Sequence, residues 1–347
     1  MTENSPTDIR KLLGDYFADQ PRVLEWGAVR LDSSLPNADR LKAWVGQGMH
    51  AGLRYMEERL EERQSPRKLF PWAKTAVLFS LRQPVPFGTD TGAFHVASYA
   101  LGEDYHHVAR RILHGVEKHL RVTSVRFESF CDTWPVFERD LAAEAGLGWR
   151  GKNTCLIHKK HGSGFLLAGF FLDVELDDTA IPVQDFCGGC SACIDQCPTN
   201  ALLEPGKLDA TKCLSYWTIE AKGTVPPEIS KKAGGWIFGC DICQEVCPWN
   251  HKHKKTDSRM EPKNWPHSAR EWLELLRKGG GFQARFKGTS LLRAGRRSLL
   301  RNVLMALREK PDLDLEELLA SLENEETNPD IVTELQQTRE LMTEKRN

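Results

Sequence analysis

The stretch "CGGCSACIDQCP" (residues 187–198) places four cysteines within eleven positions and closes on a proline. Cys187, Cys190, Cys193 and Cys197-Pro198 match C-x2-C-x2-C-x3-C-P, the spacing of bacterial ferredoxins. Three cysteines at this spacing wrap three corners of one cubane, and the fourth, past the proline turn, ligates a neighbouring cluster. A second motif, "CDICQEVCP" (240–248), supplies Cys240, Cys243 and Cys247-Pro248. A complete copy needs a cysteine at position 237, which is Ile237, and Cys213 between the motifs has no other obvious job. Exchanging the fourth cysteines gives Cys187, Cys190, Cys193 and Cys247 for one [4Fe–4S] cluster. Cys197, Cys213, Cys240 and Cys243 remain for the other. The competing reading is structural zinc, whose all-cysteine sites present separated C-x2-C pairs. A run of three cysteines and two C-P endings fit that poorly. Two adjacent clusters form an electron wire, and a wire needs a terminus.

The surroundings suit a multidomain chain in a reducing compartment. It has 347 residues, 27% of them charged, and a formal net charge of −1, so any nucleic-acid surface must be a local patch. The longest apolar run, "FLLAGFFL" (165–172), is a strand and far short of a membrane span. The N-terminus reads as an amphipathic helix and neither as a secretory nor as a twin-arginine signal. Ten cysteines then point to metal rather than disulfides and to the cytoplasm. The expected fold class is α+β in three parts: an α/β domain over 1–178, a ferredoxin-like two-cluster domain over 179–255, and a helical domain over 256–347. Predicted strands are "WGAVRL" (26–31), "TAVLFSL" (75–81), "VRFESF" (125–130) and the run from Phe165. "NADRLKAWVGQGM", "AGLRYMEERLEER" and "EDYHHVARRILHGVEKHL" read as helices.

Two motifs look like cofactor signals but depart from the patterns they resemble. "GLGWRG" (146–151) fits G-x-G-x-x-G, but it follows the helical "ERDLAAEA" and leads into the strand-like "KNTCLI". A dinucleotide fingerprint needs the opposite order, so a helix stop and tight turn is expected. "DYHHVA" (104–109) nearly spells D-x-H-x-x-G, the signature of histidine-bound cobalamin, but ends in Ala109.

Taken together, "ASYALGEDYHHVARRIL" (97–113), "CDTWPVFERDLAAEAGLGWRGKNTCLI" (131–157), "SYWTIEAKG" (215–223) and the two cysteine motifs resemble the epoxyqueuosine reductases, from about residue 40 to 305. The resemblance implies base-off cobalamin in the first domain, two [4Fe–4S] clusters, and a helical, HEAT-like tail that helps bind tRNA. The implied reaction removes the epoxide oxygen of epoxyqueuosine at the tRNA wobble position. It implies Asp132 as the proton donor. The chemistry agrees, because an opening epoxide leaves an alkoxide, and Phe130, Trp134 and Phe137 flank Asp132 in sequence to desolvate it. The ordinary alternative is that Asp132, or Thr133, caps the proline-led helix that follows. The resemblance also places Arg54, Tyr55, Tyr105, His106, Gly151, Lys152, Asn153 and His158 near the corrin, with Ser215 between cluster and cofactor. Ala97 stands where many relatives carry cysteine. Cys131 and Cys155 fall outside the cluster set and read as ordinary buried cysteines.

The tail divides by charge. Arg285 to Lys310 holds eight basic residues against Glu309 alone, whereas Pro311 to Asn347 holds eleven acids against three bases. Leu292, Leu299, Leu300, Val303, Leu304 and Leu307 form an apolar stripe, and Arg293, Arg297, Arg301 and Arg308 line another face. Arg293, Arg296, Arg297 and Arg301 are the candidate tRNA contacts, and "HKHKK" (251–255) extends the patch. The expected partners are tRNA bearing epoxyqueuosine and an external flavodoxin- or ferredoxin-like electron donor, the chain acting as a monomer. The rival readings are a cobalamin-dependent reductive dehalogenase, a ferredoxin-like electron carrier, and a cluster-bearing RNA-binding protein without turnover.

Overall fold

Alternating side chains of two apolar runs organise the first part of the chain. The computed structural model describes residues 5–31, 38–132, 134–176, 180–251 and 265–346. Thr133, residues 252–255 of the basic run, and the expected boundaries at 178/179 and 255/256 lie outside the described residues. Strands are numbered along the chain: β1 (Val23–Arg30), β2 (Thr75–Arg82), β3 (His95–Val96), β4 (Phe127–Phe130), β5 (Trp149–Arg150), β6 (Leu156–Ile157), β7 (Phe165–Leu172), β8 (Leu202–Glu204), β9 (Lys207–Leu208) and β10 (Trp236–Phe238). One sheet has the order β1-β2-β7-β4, every pairing antiparallel.

Because side chains alternate along a strand, β2 serves two cores. Val77, Phe79 and Leu81 pack with Ile9, Leu13 and Phe17 of helix Pro6–Ala18 and with Val108, Ile112 and Val116 of helix Tyr105–Leu120. Ala76 and Leu78 pack with Phe130, Phe171, and Leu141 and Ala142 of helix Glu138–Glu144. Helices therefore cover both faces, as an α/β layer would, but the strands run antiparallel. "AGLRYMEERLEER" is not one helix: Arg59 turns left-handed at φ 62° and separates Arg54–Glu57 from Leu60–Gln64. "GLGWRG" is the helix stop expected. Gly146 takes φ 78° after helix Glu138–Glu144, and the chain turns into the β5–β6 pair.

The cysteine-rich region is built from short pieces: helix Ala192–Asp195, the β8–β9 pair, a π-helical turn Tyr216–Glu220, and helix Ile242–Glu245. Its β10 pairs in parallel with β3, Trp236 opposite His95 and Phe238 opposite Val96. One apolar cluster then joins all three parts, taking Val85, Phe94 and Leu101 from the first, Ile237 and Phe238 from the second, and Trp272, Leu300 and Leu335 from the tail.

The tail corrects one expectation. Helix Gly295–Glu309 was to show one apolar stripe opposite an arginine stripe, yet every residue from Ser298 to Leu307 is buried. Tail helices Ala269–Arg277, Glu316–Glu325 and Pro329–Arg346 pack with it, and so do Ile219, Ile237 and Phe238. A helix walled in by partners has no broad solvent face. Arg301 is consequently interior, 3% exposed, and donates to the carbonyls of Trp217, Ala221 and Gly223. It is a structural cation, not a phosphate contact. Arg296 likewise serves the fold, donating to Leu276 O and pairing with Glu326 at 2.6 Å, and Arg308 pairs with Glu334 at 2.5 Å. Among the described residues no helix is long and apolar enough to cross a membrane.

Candidate functional site

Asp132 lies just past the end of β4, in the left-handed region at φ 56°. Its backbone N–H donates to Glu138 Oε1 at 2.6 Å, and its Oδ2 accepts from the Tyr105 hydroxyl. It is not the cap of the following helix, which begins at Glu138 after Phe137 with no side-chain cap. Nor do its flanking aromatics enclose it. Phe130 packs on Phe171 and Trp134 packs edge-on against Phe70, leaving the Asp132 side chain 49% exposed. The Asp132 backbone is thus held by Glu138 and its carboxyl by Tyr105, with the side chain half exposed.

Tyr105 and His106 reach it because helix Tyr105–Leu120 starts beside it. Asp104 caps that helix, accepting from His106 N–H at 3.0 Å and holding His106 Nδ1 at 2.7 Å. Burial works to raise the Asp104 carboxyl, but these His106 contacts hold it below its ordinary value. The ring leaves Nε2 3.8 Å from Asp132 Oδ2. Tyr105 also stacks on His106 and meets Tyr99 edge-on. Burial first, and then the Asp132 charge, push the Tyr105 phenol up, which keeps it a donor.

Tyr55 and Arg293 lie within electrostatic reach of this group of residues. Tyr55, 46% exposed, is pushed up by burial and by Glu220, and it feels Arg293 and Asp132 as well. Arg293 pairs with Glu220 at 2.7 Å, and its charge reaches Tyr55, Tyr99 and Tyr105. Arg54 is exposed at the start of the same short helix as Tyr55. That stretch is docked by Gly52 N–H donating to Tyr216 Oη at 3.0 Å, inside the π-helical turn.

Other expected corrin neighbours lie against the cysteines. Asn153 is buried and donates from Nδ2 to Cys243 O at 3.1 Å. Lys152 Nζ donates to Gly188 O at 2.6 Å and Cys190 O at 2.8 Å. Gly151 is packed beneath Ile157 and Asn153. The backbone amides of Ser215 and Tyr216 bond to the Cys213 thiol. Buried Ala97 meets Gly239, where φ is 68° and an added Cβ would come within 2.5 Å of the Ala97 Cβ. His158 stacks on His161 in a turn whose Gly162 abuts Trp249 and Asn250.

Several cysteines sense one another's charge. The Cys193 thiol feels Cys187 and Cys247, and Cys247 feels Cys187 and Cys190. Cys240 feels Cys213 and Cys197, and Cys243 feels Cys240 and Cys213. Burial raises the thiols of Cys193, Cys213, Cys240, Cys243 and Cys247, so bound cations are needed to make them thiolates at neutral pH. Among the described residues no three His, Cys, Asp or Glu side chains converge on a single-ion site. Cys131 is buried, and Cys155 lies beside Cys243 and is pushed up to about 11 by burial.

Sequence reasoning missed Glu138. Burial and the Asp132 charge push its carboxyl up to about 8. An acid in the first turn after the Pro135 segment was the available signal.

Comparison with known proteins gives the family. Residues 63–133 match the family model described as "Epoxyqueuosine reductase QueG, DUF1730", and residues 186–250 match "4Fe-4S double cluster binding domain". An epoxyqueuosine reductase of Cyclobacterium marinum is 37% identical over 77% of this chain and 86% of its own length. One from Pseudomonas aeruginosa is 38% identical over 78% of each chain. A crystal structure of epoxyqueuosine reductase with an epoxyqueuosine-modified tRNA-Tyr stem loop superposes with a TM-score of 0.83 at 27% identity, covering 98% of this chain and 100% of that one. On the length and level of these matches, the chain belongs to the epoxyqueuosine reductase family.

Proposed function

We propose that this chain reduces epoxyqueuosine to queuosine in tRNA, with Asp132 as the proton donor. The observation that carries this reading is an Asp132 whose carboxyl is bonded by Tyr105 and whose backbone amide is bonded by Glu138, yet whose side chain stays open to an incoming ligand. The reaction consumes two electrons and two protons, turning the epoxide into an alkene and releasing its oxygen as water. Cys187, Cys190, Cys193 and Cys247 hold one [4Fe–4S] cluster, and Cys197, Cys213, Cys240 and Cys243 the other. An external one-electron carrier supplies them. Tyr55, Tyr105, His106, Asp132 and Arg54 would be the residues to hold a large flat cofactor. Cobalamin bound there supplies a strongly reducing cobalt. Asp132 delivers a proton to the epoxide oxygen as negative charge develops on it. The Tyr105 hydroxyl fixes Asp132 Oδ2, so the other oxygen faces the substrate.

The RNA surface consists of the cations that the fold leaves at its exterior. Arg285, Lys287, Arg293, Arg297 and Lys310 are exposed on the helical tail, read as HEAT-like. The three domains act as one monomer in the cytoplasm. The deciding experiment is epoxyqueuosine–tRNA turnover by reconstituted wild type and Asp132→Asn at equal iron and corrin content. Turnover should fall by roughly 10²-fold or more. Unchanged turnover would remove Asp132 from the chemistry.

A further inference from the structure

Two side chains from the first part of the chain reach across to the first cysteine loop. Trp149 Nε1 donates to Cys187 Sγ at 3.4 Å, and Lys152 Nζ donates to the carbonyls of Gly188 and Cys190. Both are held in place. The indole is 2% exposed and packed edge-on against Phe186 and Trp249, in a cluster that includes Cys247. The backbone carbonyl of Lys152 accepts from Gly206 N–H at 2.9 Å. Between these contacts the loop is bare, since an added Cβ at Gly188 or Gly189 would meet nothing.

We propose that Trp149 and Lys152 tune the cluster bound by Cys187, Cys190, Cys193 and Cys247, raising its reduction potential; this rests on the cysteine grouping above. Reduction makes a cluster more negative. A hydrogen bond to a ligating sulfur and a nearby cation both stabilise the reduced form, and hydrogen bonds to sulfur are an established lever on cluster potential. Both act more strongly where water is excluded, as around the buried indole. The other set has contacts of its own, Ala201 N–H donating to Cys197 Sγ at 3.2 Å and the Thr199 hydroxyl 3.8 Å from the same sulfur.

The test is an anaerobic redox titration followed by electron paramagnetic resonance on reconstituted full-length protein without substrate. Iron and sulfide are counted per chain. Wild type, Trp149→Phe, Lys152→Met and Lys152→Arg are compared. Trp149→Phe and Lys152→Met should each move one of two midpoint potentials to more negative values and leave the other in place. Lys152→Arg, which keeps the charge, should stay near wild type. Unmoved potentials at full iron content in both variants would overturn the proposal, as would a shift in Lys152→Arg equal to that in Lys152→Met. If Trp149→Phe loses its cluster, the Lys152 pair still decides, because that side chain is partly exposed. A wild type with only one cluster would instead sink the cysteine grouping, a different failure.

Discussion

Asp132 occupies backbone space that costs a non-glycine residue about 1 kcal/mol or more, and the contact that holds it there is with Glu138. Glu138→Gln keeps a carbonyl acceptor for the Asp132 amide and should retain most of the turnover. Glu138→Ala removes the acceptor and should lower turnover several-fold at unchanged iron content. Equal rates in the two variants would show that the amide contact does not position Asp132. Stability should also depend on pH through this carboxyl. Its folded value, about 8, lies above the unfolded value. Its contribution is therefore fully present below about pH 4.3 and lost as pH rises towards 8, at up to about 1.4 kcal/mol per unit. Urea midpoints at pH 5, 6.5 and 8 should fall less steeply in Glu138→Gln than in wild type.

Helix Gly295–Glu309 separates two kinds of arginine that look alike in sequence. Arg301→Met strips donors from three buried carbonyls and should cost about 2–4 kcal/mol in urea unfolding. Arg297→Ala should leave stability unchanged and weaken tRNA binding, lowering the salt slope by about 1. Equal salt slopes for wild type and Arg297→Ala would take this helix off the RNA. Why the sequence merges them is a matter of geometry. Helical periodicity separates an apolar face from a polar one but cannot tell how many sides neighbours will cover. The runs that became β2 and β7 were legible because apolar residues at consecutive positions demand burial on both faces. The cysteine motifs were legible because ligand spacing is local. Glu138 beside Asp132, and Lys152 on the Gly188 loop, were not, since both are meetings that only the folded chain arranges.

For the whole molecule, the buried thiols tie the cysteine-rich region to its iron. Holding their charges requires the clusters, so cluster binding contributes directly to folding there. Removing iron with a chelator should speed amide hydrogen exchange across 186–250 while β2 and β7 stay protected, as read by mass spectrometry. Uniform protection with and without iron would show that this region folds unaided. The two rungs between β3 and β10 carry a further meaning. They close into one loop all the chain from Val96 to Trp236, which includes both Asp132 and the first cysteine motif, and Cys240 follows β10 almost at once. The second cysteine set therefore cannot drift from the opening at Tyr105 without tearing a ladder. On the proposed function, an electron moving inward would cross a gap of set width, indifferent to viscosity and to protein concentration. Only its arrival from outside is a collision.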